Sequence, residues 1–201
     1  MPVLKNTLLA VLVGTATLLA PPALSSAELL DVKVELENKR YRLYSETEFS
    51  VGPQALYELL IDYSKFEKFT SAIVEARNTD PDATGRPGFY ARMEGCALLF
   101  CKSFIRNGYL DLTPISEIVA TADPERSDFK YSRERWQILA DGGGSLLIYD
   151  FEMEPDFWIP PVIGPYFIQR ALKRGAVRAV KRIEALAQEI ESEMQAANSV
   201  H

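Results

Sequence analysis

The sequence predicts an α+β fold in which a curved antiparallel sheet of about seven strands grips one long C-terminal helix. Three observations carry this expectation. Apolar and polar residues alternate with period two in segment after segment from Val32 to Met153, as half-buried antiparallel strands require. The two segments Phe129–Leu139 and Leu147–Met153 are joined by Asp141-Gly142-Gly143-Gly144, a hairpin turn. From about Pro165 to Glu191, the residues Ile168, Leu172, Ala176, Ala179, Ile183, Leu186 and Ile190 recur at intervals of three and four. That stripe is roughly 40 Å long at helical rise, and a curved sheet offers its concave face as the place to bury it.

The elements follow in order. Val32, Val34 and Leu36 share one face, Asn38-Lys39 is a turn, and Tyr41 to Val51 alternates cleanly. Gly52-Pro53 ends that strand, and Pro53 is suited to the first position of a helix running to about Ile61, with Ala55, Leu56, Leu59 and Leu60 inward. Asp62 to Phe69 reads as a second short helix with aromatic residues at helical spacing. Strands are expected over Ala72–Asn78, from Phe89 to Glu94 with Phe89, Ala91 and Met93 inward, over Phe100–Leu112 and over Ile115–Ala122. The run Thr79 to Gly88 is a turn-rich connection. In the last strand Leu147, Tyr149, Phe151 and Met153 share the inner face.

Residues 1–27 read as a secretory leader. Lys5 gives a basic start, Leu8–Leu19 is an apolar run, and Ser25-Ser26-Ala27 suits cleavage before Glu28. The run of about a dozen residues is short of the roughly 20 that span a bilayer. The rest divides into one domain, 28–191, and a polar tail, 192–201, and the protein is expected to be exported, periplasmic or secreted. The chain of 201 residues carries a formal charge of −6, and its expected leader contributes only Lys5. An acidic chain argues against a nucleic-acid partner. Cys96 and Cys101 would point apart on one continuous strand, but would flank a hairpin turn at Ala97–Phe100 and could pair there as a disulfide. Two thiols without a nearby histidine make no metal site.

The order strand, two small helices, six strands, long helix has further landmarks. They are Asp62-Tyr63, Trp136 followed by Asp141-Gly142-Gly143-Gly144-Ser145-Leu146, then Glu154-Pro155 and a proline-rich lead into a basic helix. Over residues 41–190 this resembles the START/SRPBCC superfamily, the helix-grip fold, and within it the polyketide cyclase/dehydrase and coenzyme Q-binding-protein-like branch. The resemblance implies a START-like domain with a deep cavity between sheet and last helix, holding lipids, quinones, sterols or polyketides. Its members range from carriers to aromatases, cyclases and hydrolases, so the fold alone does not choose a function.

The only histidine, His201, ends the tail, so a Ser/His/Asp or Cys/His relay has no base. No phosphate-binding glycine loop or metal cluster is evident, and no cofactor is expected. Residues aimed inward by strand parity are Phe89, Met93, Tyr149, Phe151 and Met153, with Tyr63, Phe66 and Phe69 near an expected mouth and Tyr166 and Leu172 on the helix side. These types line an apolar pocket and fill a core equally well. Arg133 and Arg135 share the face of Phe129 and Tyr131 unless a bulge intervenes, and would then meet an anionic group. Arg106 shares the face of Phe104, and is read as turned to solvent.

The segment Phe157–Ile168 is uncharged, and Arg170, Lys173, Arg174, Arg178, Lys181 and Arg182 follow before any acid. Trp158 and Ile159 beside Arg170, Lys173 and Arg174 suit transient contact with an anionic membrane surface. The other reading is a loop that caps the cavity, with the bases paired to strand carboxylates. The function expected is binding and transport of a hydrophobic small molecule, a lipid, quinone or isoprenoid-like compound. Trp158 and Tyr63–Phe69 would form its portal. The alternative is a cyclase- or hydrolase-type enzyme using Tyr149, Arg133 or Asp150.

Overall fold

A computed structural model describes residues 26–97, 100–159 and 164–199. The expected leader lies outside the described residues but for its last two, as do Pro160–Ile163, Leu98, Leu99 and the end of the tail. Two strands open the chain, β1 (Glu28–Glu37) and β2 (Arg40–Phe49). Asn38 and Lys39 both have positive φ, 50° and 69°, which matches a tight two-residue hairpin to the twist of its strands. Helix α1 (Pro53–Ile61) starts on its proline, and a 3-10 turn at Tyr63–Lys65 leads into the short α2 (Phe66–Phe69).

Six strands follow: β3 (Ile73–Thr79), β4 (Gly88–Ala97), β5 (Phe100–Thr113), β6 (Glu117–Ala122), β7 (Phe129–Asp141) and β8 (Gly144–Pro155). Helix α3 (Gly164–Asn198) ends the fold and runs on through most of the segment expected to be a tail. The strands form one sheet in the order β1-β2-β8-β7-β6-β5-β4-β3, antiparallel throughout. Gly142 (φ 53°) and Gly143 (φ 100°) make the β7–β8 turn, a backbone shape that side-chain-bearing residues adopt at a cost. In the β4–β5 hairpin Cys96 stands directly opposite Cys101, and Cys101 is disulfide-bonded.

The register of β7 slips by one residue between Phe129 and Tyr131. A bulge there reverses the inward and outward faces of every later residue in the strand. Phe129 is buried, and so are Ser132, Glu134, Trp136 and Ile138, while Arg133 is exposed and Arg135 lies on the outer face. This corrects the expectation that Arg133 and Arg135 point inward. Arg135 is held outside by Glu117 at 2.7 Å and Asp150 at 3.7 Å.

Two apolar clusters lie on the concave side. The larger joins α1, the Tyr63–Phe69 segment, the middle of the sheet and the second half of α3, through Leu56, Leu60, Phe66, Phe89, Ile118, Trp136, Val180, Ile183 and Ala187. The smaller is Tyr41, Leu43, Phe129, Phe151 and Met153, with Met93, Phe104, Ile159, Ile168, Leu172 and Ala176 half-buried against it.

Candidate functional site

Between the two clusters sits a buried ion pair. Arg106 projects inward from β5, on the face of Leu110, and is only 3% exposed. The expectation that it faces solvent is thus corrected: the Phe104–Leu110 face of β5 is the one the sheet curls around. Its Nη1 donates to Glu134 Oε1 at 2.8 Å and its Nε to Ser132 Oγ at 2.9 Å. Tyr149 OH donates to the same Glu134 oxygen at 3.2 Å. The bulge in β7 makes this possible, because it turns Ser132 and Glu134 toward Arg106.

Aromatic rings surround the pair. Tyr63 stacks on Phe66 and Phe89 with centroids 4.1 and 4.7 Å apart, and Phe66 meets Trp136 edge-on at 6.1 Å. Trp136 continues to Tyr149 and Tyr149 to Phe151, at 5.5 and 6.4 Å. The Arg106 guanidinium lies 5.5 Å from the Phe89 ring centre and 5.3 Å from that of Phe151, within reach of attraction to both faces.

Three polar atoms here have no hydrogen-bond partner among the described residues: Arg106 Nη2, Glu134 Oε2 and Tyr63 OH. Buried polar groups are nearly always paired, and here one donor, one acceptor and one hydroxyl are left without a partner from the described residues. Burial disfavours the charge on Arg106, but the opposite charge of Glu134 outweighs it and holds the guanidinium firmly protonated. Burial, and then the negative charge of Glu134, push the phenols of Tyr63 and Tyr149 well above 10. Both are therefore hydrogen-bond donors at neutral pH rather than proton-transfer groups.

The other expected site residues divide. Phe89, Phe151 and Met153 are buried on the concave side, and Tyr149, Met93 and Leu172 are half-buried there. Tyr63, Phe66 and Phe69 are buried as well, so they close one end of the core instead of standing at a mouth. Trp158 is 80% exposed and Tyr166 58%. Asp150, like Arg133, is on the outer face. Two open depressions, of about 660 Å³ beside Asp80–Arg86 and Asp123–Arg126 and of about 370 Å³ beside Glu48–Ser50 and Asp141–Gly144, include no residue of α3. Sequence reasoning missed Ser132 and Glu134 and misplaced Arg106.

No family model matches the sequence, and no curated protein matches it. Solved structures do match in shape. Human STARD10 superposes with a TM-score of 0.61 at 14% identity, over 88% of this chain and 78% of that one. The STAR-related lipid transfer protein of Xanthomonas axonopodis gives 0.61 at 11% identity, over 82% and 99%. The Zhui aromatase/cyclase from Streptomyces gives 0.58 at 10%, over 74% and 94%. The chain has the START helix-grip fold. In the terms of that fold, the long gripped helix is α3, and the Arg106–Glu134 pair lies on the concave wall that it crosses.

Proposed function

We propose that this protein binds and carries an apolar small molecule with a neutral, hydroxyl-bearing head, a lipid, quinol or isoprenoid-like compound, beneath α3. The observation that carries the reading is the set of open polar atoms inside an aromatic wall. A hydroxyl can accept from Arg106 Nη2 and donate to Glu134 Oε2, whereas a carboxylate or phosphate would meet the negative charge of Glu134. Two of the structures similar in fold are named as a lipid transfer protein and an aromatase/cyclase, both consistent with an apolar guest. Burying about 300 Å² of ligand at about 25 cal/mol per Å² supplies roughly 7 kcal/mol before ordering costs, enough for a reversible carrier.

The cyclase or hydrolase alternative loses two of its expected groups, since Arg133 and Asp150 face outward, and the raised phenol of Tyr149 suits holding a ligand better than moving its protons. With an N-terminal segment that reads as an export leader, the carrier would work in the periplasm or outside the cell. It would load and unload at a bilayer. Trp158 and Tyr166 stand exposed, and so do Arg170, Lys173 and Arg174, which form no ion pair among the described residues, a combination suited to an anionic surface.

Native mass spectrometry of the protein purified from the exported fraction of its own host tests the binding. The expected result is a bound apolar compound carrying a hydroxyl, lost in the double variant Arg106→Met/Glu134→Leu, in which the paired replacement leaves no buried charge. Empty protein, or bound fatty acid retained in that variant, would overturn the reading.

A further inference from the structure

The β5–β6 turn holds a large apolar side chain in water against the preference of its own backbone. Ser116 N donates to Thr113 O at 3.1 Å across Pro114 and Ile115, and Ile115 has φ 67°. That is a type II turn, whose third position ordinarily takes glycine. A β-branched residue is strained there, yet Ile115 gains little burial in return, being 42% exposed.

Ile115 lies at one end of an apolar patch on the outer face of the sheet. Ile138 N donates to Ser116 O at 2.8 Å, which brings β7 alongside the turn, and the next residue, Leu139, is 44% exposed. Leu139 stands opposite Leu146, and Ile148 follows on the same face of β8, both half-buried. Acids rim the patch. Glu48 and Glu46 stand opposite Leu146 and Ile148 on β2, Glu117 lies beyond Gln137 on β6, and Asp141 ends β7. Arg135 is engaged with Glu117, but Glu48 and Asp141 form no ion pair among the described residues. Glu28 stands directly opposite Glu48 in the β1–β2 register, and like charges so placed repel. A contiguous apolar patch inside a polar rim marks a contact surface, and this rim calls for a cationic partner.

Helix α3 carries a surface of the opposite make-up. Val177 is 48% exposed, and Lys173, Arg174 and Lys181, four and three residues before it and four after, share its side of the helix. All three bases are exposed and form no ion pair among the described residues. We propose that the patch receives the Val177 face of α3 from a second copy of this chain. Val177 meets Ile115 and Leu139, and the bases meet Glu48 and Asp141. The patch is on the outer face of the sheet and α3 crosses the concave one, so two copies cannot exchange the contact reciprocally. Assembly is therefore head to tail and adds copies in line. In the carrier reading the same bases face an anionic surface, so lipid and a neighbouring copy exclude each other. The contact itself does not rest on that reading.

Sedimentation velocity on the purified protein, without ligand, tests it. At low salt and above about 100 μM the protein runs as a concentration-dependent series of dimers and longer chains. Salt at about 1 M, where the Debye length is about 3 Å, disperses them. Ile115→Gly/Leu139→Gln and Arg174→Glu/Lys181→Glu, each folded by circular dichroism, weaken association about tenfold or more. Mixed in equal amounts, the two variants form a dimer and stop there, because one still offers the helix face and the other the patch. Ile115→Gly alone relaxes the turn, so it weakens association without lowering the melting temperature. A monomer at every concentration, association untouched by either pair of substitutions, or a mixture that stays monomeric overturns the proposal. A lowered melting temperature in Ile115→Gly would also count against it, by giving Ile115 a role in the fold instead.

Discussion

Arg106 and Glu134 each depend on the other. A guanidinium 3% exposed is tolerable only beside its carboxylate, and removing one partner strands the other in a medium of low polarizability. Glu134→Gln is expected to destabilise the fold by about 3–5 kcal/mol in urea unfolding, with the double change Arg106→Met/Glu134→Leu restoring most of that loss. A double variant no more stable than the single one would show that the pair does more than neutralise itself. Tyr63 and Tyr149 give a pH dependence of definite sign. Their folded-state pKa values are raised, so below about pH 10 the folded and unfolded chains are both protonated and the full contribution is present. Above that the unfolded chain loses protons first, and stability falls by about 1.4 kcal/mol per pH unit for each tyrosine. Urea melts between pH 8 and 11 should show the fall, and Tyr63→Phe with Tyr149→Phe should lessen it, leaving the share of Tyr41, Tyr44 and Tyr57, whose phenols are raised as well.

At the scale of elements, the strands and turns were legible because their signals are local. Alternation, the Asn38-Lys39 turn and the glycine turn at Gly142-Gly143 act within a few residues, and the structure forms hairpins at both. The bulge in β7 was less visible, and it alone inverted Arg133 and Arg135. A trace of it exists in the sequence: Phe129 has odd parity and Trp136 and Ile138 even, and all three are large and apolar. One strand can bury all of them on one face only by taking in an extra residue. Which face of β5 is concave, and so where Arg106 points, depends on the curl of the whole sheet and had no local signal. The same holds for Tyr63–Phe69, whose aromatic spacing fits a portal or a plug. Helix α3 carries a further prediction. Glu184 is buried and takes hydrogen bonds from Ser50, so Glu184→Ala should cost about 2–3 kcal/mol in unfolding and loosen the second half of the helix, read as faster hydrogen exchange there. Unchanged exchange in that half of the variant would contradict this assignment.

For the whole molecule, the distribution of charge says more than its sum. The chain is acidic, at −6, yet Arg170, Lys173, Arg174, Arg178, Lys181 and Arg182 are all exposed and, among the described residues, none has an ion-pair partner. The sequence reading left open whether strand carboxylates neutralise them; in the structure Glu152 is engaged with Arg40 and Arg42, Asp150 with Arg135 and Asp31 with Lys33, and Asp31 also feels the charge of Lys173 without forming an ion pair with it. An acidic body bearing one cationic face should approach an anionic bilayer in one orientation, with α3 and Trp158 toward the lipid. Each base near such a surface contributes about 1 kcal/mol, and the effect fades beyond a Debye length of roughly 8 Å at physiological salt. Neutralising three bases at once, in Arg170→Gln/Lys173→Gln/Arg174→Gln, should therefore lower partitioning onto vesicles of anionic lipid about a hundredfold. Trp158→Ala should weaken binding to anionic and neutral vesicles alike, since its contribution is apolar. Flotation with both vesicle types, at low and high salt, separates the two terms. Binding that ignores salt and the three bases would leave Trp158 alone as the contact, and equal absence from both vesicle types would mean that this face does not meet lipid.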